Sequence, residues 1–146
     1  RSIIYATDIN AQSLRLAGAG VYPLERLRGF TQNHRRSGGT TSLSDYYHGS
    51  GDSAIMDASL RRKITFSDHS LATDNVFSEV QLITCRNVLI YFDHALQTRA
   101  LHLFADSLVR GGFLGLGSKE SLRFTEVANL FTEFALNERI YRRNAA

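Results

Sequence analysis

Arg86 and Asn87 are the residues best placed to do chemistry, because they interrupt an otherwise apolar run, Val80-Gln81-Leu82-Ile83-Thr84-Cys85-Arg86-Asn87-Val88-Leu89-Ile90-Tyr91-Phe92. The run opens with residues suited to a buried strand, turns polar, and becomes apolar again. Inner strands of a parallel sheet are buried on both faces, so a charge just past such a strand lies at its carboxyl end, where open α/β folds bind ligands. The competing reading of Arg86 is a salt-bridged arginine on a surface turn, and spacing alone leaves both open. Asp8 is the next candidate, at the end of the strand pattern Ser2-Ile3-Ile4-Tyr5-Ala6. An acid there is the arrangement that holds the vicinal hydroxyls of a nucleotide ribose; the alternative is a helix-capping aspartate. Asn10 can fill the capping role, which favours a functional Asp8.

Other chemistries find little support. There is no Gly-x-Ser-x-Gly elbow and no phosphate loop with its lysine. Gly115-x-Gly117 lacks the third glycine of a dinucleotide fingerprint. The single cysteine, Cys85, excludes an internal disulfide and a cysteine-rich metal site, and it reads as an inert core residue rather than a nucleophile. His48 and His69 have no second ligand at a metal-binding spacing and read as polar loop residues, so no metal is expected. The net charge of +3 is mild, and the short basic clusters Arg35-Arg36, Arg61-Arg62-Lys63 and Arg142-Arg143 read as solvated faces, not as the dense stripe that nucleic acid requires. No apolar run is long enough to span a bilayer. One cysteine and no membrane segment lead to the expectation of a cytoplasmic protein.

The 146 residues suit one domain with one core. After the first strand, Asn10 caps a helix carrying Leu14 and Ala17, stopped by Gly18 and Gly20. Pro23 opens a short helix with Leu24, Leu27 and Phe30. Residues 31–53 form a long polar excursion with a small ribbon, in which Tyr46 and Tyr47 are the bulky pair. A helical turn follows over residues 57–61, then a strand at Lys63-Ile64-Thr65-Phe66. Asp93 caps the clearest helix, with Leu96, Ala100, Leu103, Phe104 and Leu108 on its apolar stripe, and Arg110-Gly111-Gly112 ends it. Phe113-Leu114-Gly115-Leu116-Gly117 is a strand, residues 124–130 suit a helical turn, and the chain closes on a hairpin turned at Asn137-Glu138. Alternating strands and helices with an antiparallel end predict a doubly wound α/β domain.

The stretch Leu82-Ile83-Thr84-Cys85-Arg86-Asn87-Val88-Leu89-Ile90-Tyr91-Phe92-Asp93 closely resembles the F-C-R-N-V-L-I-Y-F signature of the chemotaxis-receptor methyltransferases, the CheR type. Tyr5-Ala6-Thr7-Asp8-Ile9 resembles that family's second strand with its ribose-binding aspartate. Gly20-Val21-Tyr22 and Ile64-Thr65-Phe66 follow in the family's order. The stretch from Gly111 to Leu122 resembles G-G-x-L-x-L-G-H-S-E-S-L, with Ser118 and Lys119 standing where the family has histidine and serine. Ser70 stands where the family often has asparagine, so Leu71 would matter there through its backbone.

The resemblance implies a Rossmann-like S-adenosylmethionine-dependent methyltransferase fold over residues 1–146, with a small inserted β-subdomain over residues 40–63. It implies methylation of glutamate side chains on chemoreceptors or receptor-like signalling proteins, with S-adenosyl-L-homocysteine as the cofactor product. Asp8, Ser70, Leu71, Arg86 and Asn87 would bind the cofactor, while Arg86 and Tyr91 would be catalytic. Neither nucleic acid nor membrane insertion is expected. The rival reading is a catalytically inactive module that binds a partner or senses the cofactor.

The chain opens directly on a strand, Arg1-Ser2-Ile3-Ile4-Tyr5-Ala6-Thr7-Asp8, which leads to the expectation of a piece of a longer protein. In the family, the glycine-rich cofactor loop and the first strand precede this point, and that strand lies between those of Ile3 and Leu82. The expected consequence is a split sheet with open edges, self-association through them, and no intrinsic activity.

Overall fold

The ends of the first helix are set by side chains that supply the backbone's missing hydrogen-bond partners. The computed structural model describes residues 2–145, so Arg1 of the first expected strand lies outside the described residues. The chain divides into two units, one reaching to His69 and the other beginning at Ser70.

In the first unit, strand β1 (Ile4–Asp8) leads to helix α1 (Ala11–Ala19). Asn10 accepts hydrogen bonds from the N–H groups of Gln12 and Ser13 at 2.8 and 3.2 Å. Gly20 closes the helix at φ +65°, its N–H bonding to the carbonyls of Ala17 and Leu16. Arg61 Nη1 donates to the carbonyls of Gly18 and Ala19, which otherwise lack helical partners. Strand β2 (Val21–Pro23), helix α2 (Leu27–Arg36), strands β3 (Tyr47–Ser50) and β4 (Ser53–Met56), the single-turn helix α3 (Ala58–Arg61) and strand β5 (Ile64–Asp68) follow. β1 and β5 pair in parallel, from Ile4 opposite Ile64 to Asp8 opposite Asp68. β2, β4 and β3 form a separate antiparallel ribbon in that order.

Pro23 ends β2 and directly precedes a single 3₁₀ turn, Leu24–Arg26, that runs into α2, so the expected helix carrying Leu24, Leu27 and Phe30 is present. Three expectations change here. The polar residues 31–36 are helical, because Thr31 bonds back to the Leu27 carbonyl at 2.7 Å and the basic last turn, His34-Arg35-Arg36, suits the negative helix end. β1 is not a buried strand. It has one strand neighbour among the described residues, and Ile4 and Tyr5 are exposed. His48 lies in β3 instead of a loop.

The second unit carries strand β6 (Val80–Cys85), helix α4 (His94–Ser107) and strands β7 (Leu108–Leu116), β8 (Phe131–Ala135) and β9 (Ile140–Arg143). The sheet order is β6-β7-β9-β8, parallel between β6 and β7 and antiparallel beyond. Asp93 caps α4 by accepting from the Leu96 N–H at 2.9 Å. Ala100, Leu101, Phe104 and Ala105 of α4 pack in one core with Leu114 and Leu116 of β7 and with Tyr141 of β9. α4 ends at Ser107, earlier than its apolar stripe predicts, and the glycines serve β7 instead. Val80 faces Leu108 while Leu82 faces Phe113, so β7 bulges between them. Gly111 takes φ +79° in that bulge, and a Cβ on Gly112 would lie 2.9 Å from the Val109 carbonyl oxygen. β6 also has one strand neighbour among the described residues, and Leu82 is exposed on it. The chain is a mixed α/β protein with a mixed sheet.

Candidate active site: the turn after β6

β6 delivers its chain to a turn that is clamped from both sides. Asn87 takes φ +59°, a left-handed conformation that asparagine tolerates better than most residues, and Val88 is right-handed at φ −113°, ψ −47°. Such a pair points successive N–H groups into one concavity that suits an anion. Here the anion is the chain's own Glu120 carboxylate. Its Oε2 accepts from Asn87 N–H at 3.0 Å and Gly117 N–H at 2.6 Å, and its Oε1 from Val88 N–H at 2.9 Å and Leu89 N–H at 2.8 Å. Glu120 is 5% exposed, and burial of a carboxylate is tolerable only with such compensation. On the carbonyl side, Gln97 Nε2 of α4 donates to Leu89 and Phe92, both at 3.0 Å.

The clamp leaves the candidate side chains outside. Arg86 is exposed and makes no hydrogen bond or ion pair among the described residues, so the salt-bridge alternative finds no acid there. Tyr91 closes the short helical turn Leu89–Tyr91 and is 81% exposed, far from a core aromatic. Asn87 is exposed too, with its Oδ1 against Gly117.

Ser70 and Leu71 open the same unit on another loop. The Ser70 N–H donates to Asp74 Oδ2 at 2.8 Å, its Oγ accepts from Ala72 N–H, and Leu71 packs against the core. Arg99 of α4 ties this loop down through the Asp74 carbonyl at 2.9 Å. Asp8 belongs to the first unit, exposed beside Asp68 at the carboxyl ends of β1 and β5. Its Oδ1 accepts the Asn10 N–H at 2.8 Å, so it orders the capping residue as well as presenting a carboxylate. The structure thus gathers Arg86, Asn87 and Tyr91 on one turn, sets Ser70 and Leu71 on a second loop of that unit, and places Asp8 in the other unit. Among the described residues no cluster of side chains has the makings of a metal centre.

Sequence reasoning missed Glu120 and Gln97. Each carried a signal: Gln97 falls at helical spacing from the buried Leu101 and Phe104, and Glu120 is an acid between the buried Leu116 and Leu122.

Cys85 is buried at the end of β6, and its thiol is pushed up to about 11, first by burial and then by the Glu120 charge. The folded state holds this proton more tightly than the unfolded chain, so its contribution is present below about pH 9 and lost as pH rises through about 11. Urea unfolding is expected to show a stability loss on the order of 1–2 kcal/mol across that window, and Cys85→Ala should remove that part of the slope.

A charged turn at the carboxyl end of a parallel strand, in a mixed α/β chain, places the protein among ligand-binding α/β domains. The family model described as CheR methyltransferase, SAM binding domain, matches residues 1–139, and the chain belongs to this family. It is 51% identical over 144 residues to the "Putative methyltransferase Cher3" of Pseudomonas putida, covering 99% of this chain and 53% of that protein. A chemotaxis protein methyltransferase of Listeria innocua is 35% identical over 119 residues, or 82% of this chain and 42% of the relative. An uncharacterized 104.1 kDa protein of Rhodobacter capsulatus is 31% identical over 139 residues, 95% of this chain but 14% of that protein. The chain therefore spans about half or less of the length of these relatives.

Proposed function

We propose that this chain is part of an S-adenosylmethionine-dependent methyltransferase that methylates glutamate side chains of chemoreceptors or receptor-like signalling proteins. The observation that carries the reading is the turn after β6, whose backbone is fixed while the Arg86 guanidinium and Tyr91 phenol face solvent. A free guanidinium at a strand end fits a carboxylate, whether of the acceptor glutamate or of the cofactor's methionyl end, because it offers paired donors. The cofactor, when bound, supplies a sulfonium methyl group.

The remaining work is alignment. A glutamate acceptor is already ionised near neutral pH, so no strong general base is required. Arg86 orients the acceptor carboxylate or the methionyl end. Tyr91 would pack near the methyl donor and offer its hydroxyl. Asn87 would hold the strand-end backbone, Asp8 would bind the ribose hydroxyls, and Ser70 and Leu71 would contact the cofactor. Holding both reactants in line, with water excluded, is worth several orders of magnitude in rate. The Asn87–Leu89 N–H groups are committed to Glu120, which removes them as donors to a cofactor carboxylate and leaves that task to side chains.

The antiparallel ribbon of β2, β4 and β3 is on this reading the subdomain that docks a substrate segment, with Tyr47 at the start of β3 and Tyr46 just before it. β1 and β6 each pair with one strand among the described residues, and the match covers about half or less of the relatives, which supports the inference that activity needs more than this chain.

The test is calorimetric binding of S-adenosylhomocysteine to this chain and to the protein extended upstream, followed by methyl transfer to a glutamate-bearing receptor peptide. Binding by the extended protein with transfer to the peptide is the expected result. Binding without transfer would favour a cofactor-sensing module, a reading that the exposed Ser118 and Lys119 also accommodate. No binding by either form would defeat the proposal.

A further inference from the structure

Glu120 and Gln97 do not face solvent with the reactive groups, yet together they hold the turn that presents them. Glu120 takes the N–H groups of residues 87, 88 and 89, and Gln97 takes the carbonyls of Leu89 and Phe92. We infer that Glu120, supported by Gln97, is the positioning residue of the site: it keeps Asn87 left-handed and so sets the directions in which Arg86 and Tyr91 leave the main chain. What is positioned rests on the function proposed above; the clamp itself is a matter of geometry.

A charged carboxylate is the group that this place requires. Four donors converge on its two oxygens at 2.6–3.0 Å, and hydrogen bonds to an ionised acceptor are about twice as strong as neutral ones. Glutamine would keep one accepting oxygen and turn an NH₂ towards either the Gly117 and Asn87 pair or the Val88 and Leu89 pair. Donor would then face donor in a buried space. All four hydrogen bonds come from the chain's own backbone, so the carboxylate's accepting capacity is spent on the turn and on Gly117.

The test uses the full-length protein that contains this chain, in four forms: wild type, Glu120→Gln, Gln97→Met, and Leu114→Val as a weakened core variant that removes none of the turn's hydrogen bonds. Amide exchange at Val88 and Leu89 is expected to quicken at least tenfold in Glu120→Gln relative to Leu114→Val, and by less in Gln97→Met. At equal folded fraction, Glu120→Gln is expected to lower kcat for methyl transfer at least tenfold below Leu114→Val, with a smaller change in KM for the acceptor. Exchange in Glu120→Gln no faster than in Leu114→Val would overturn the clamp. Equal kcat in the two would overturn its role in the site. Should Glu120→Gln fail to fold, the same comparisons between Gln97→Met and Leu114→Val decide, with unchanged exchange or unchanged kcat counting against the inference. If wild type binds no S-adenosylhomocysteine, the proposed function and Glu120's part in it both fall, while the exchange comparison still decides whether the carboxylate sets the turn.

Discussion

Arg86→Ala in the full-length protein is expected to lower kcat/KM for methyl transfer by about 10²–10³-fold, the usual scale for losing a charged group that orients reacting atoms. Unfolding free energy should stay within about 0.5 kcal/mol of wild type, because Arg86 is exposed and engages no partner among the described residues. This separation of activity from stability is the diagnostic part. Arg86→Lys should recover a fraction of the activity, since an ammonium keeps the charge but loses the planar fork. Parallel assays of transfer rate and urea midpoint check both halves. An unchanged rate, or a rate loss matched by an equal loss of stability, would remove Arg86 from the site.

The second large effect is expected at Gly117. A Cβ there would stand 2.7 Å from the Asn87 nitrogen and 2.7 Å from Glu120 Oε2, with Asn87 Oδ1 closer still. Two of these three neighbours are parts of the clamp, so relief must come by separating the carboxylate from its donors. Overpacking costs about 1–3 kcal/mol, and weakening a hydrogen bond to a buried charge adds about as much again. Gly117→Ala should therefore lose about 3 kcal/mol or more by urea unfolding. Gly49→Ala, where added atoms meet nothing within 4 Å, provides the comparison and should stay close to wild type. Equal stability of the two variants would mean that the turn has more room than its geometry shows.

The sequence made some of this legible because the signals were local. Asn10 and Asp93 are short polar side chains ahead of periodic apolar residues, and both cap helices as expected. The terminal hairpin and the polar interruption at Arg86-Asn87 were equally readable, since each depends on neighbours in the chain. The misreadings arose where distant partners decide. β1 has an apolar pattern fit for burial, but the pattern does not show what covers the two faces of the sheet, and Ile4 and Tyr5 are exposed. Leu108 fits the α4 stripe but is claimed by β7, whose bulge needs the glycines that resembled a helix stop. Asp8 seemed released from local duty by Asn10, whereas it holds the Asn10 N–H itself. Glu120 and Gln97 were overlooked because their partners are backbone atoms, which a pattern of side chains does not display.

The clamp also bears on the order in which the protein acquires its shape. The bonds from Glu120 to the turn link positions 31–33 residues apart, and such distant closures are entropically costly until intervening segments have ordered. During synthesis, residues 86–92 emerge well before the carboxylate that gives them their conformation, and the whole of α4 and β7 lies between the two in the chain. A nascent chain halted between residues 93 and 120 would hold every residue of the signature motif without the carboxylate that fixes its backbone.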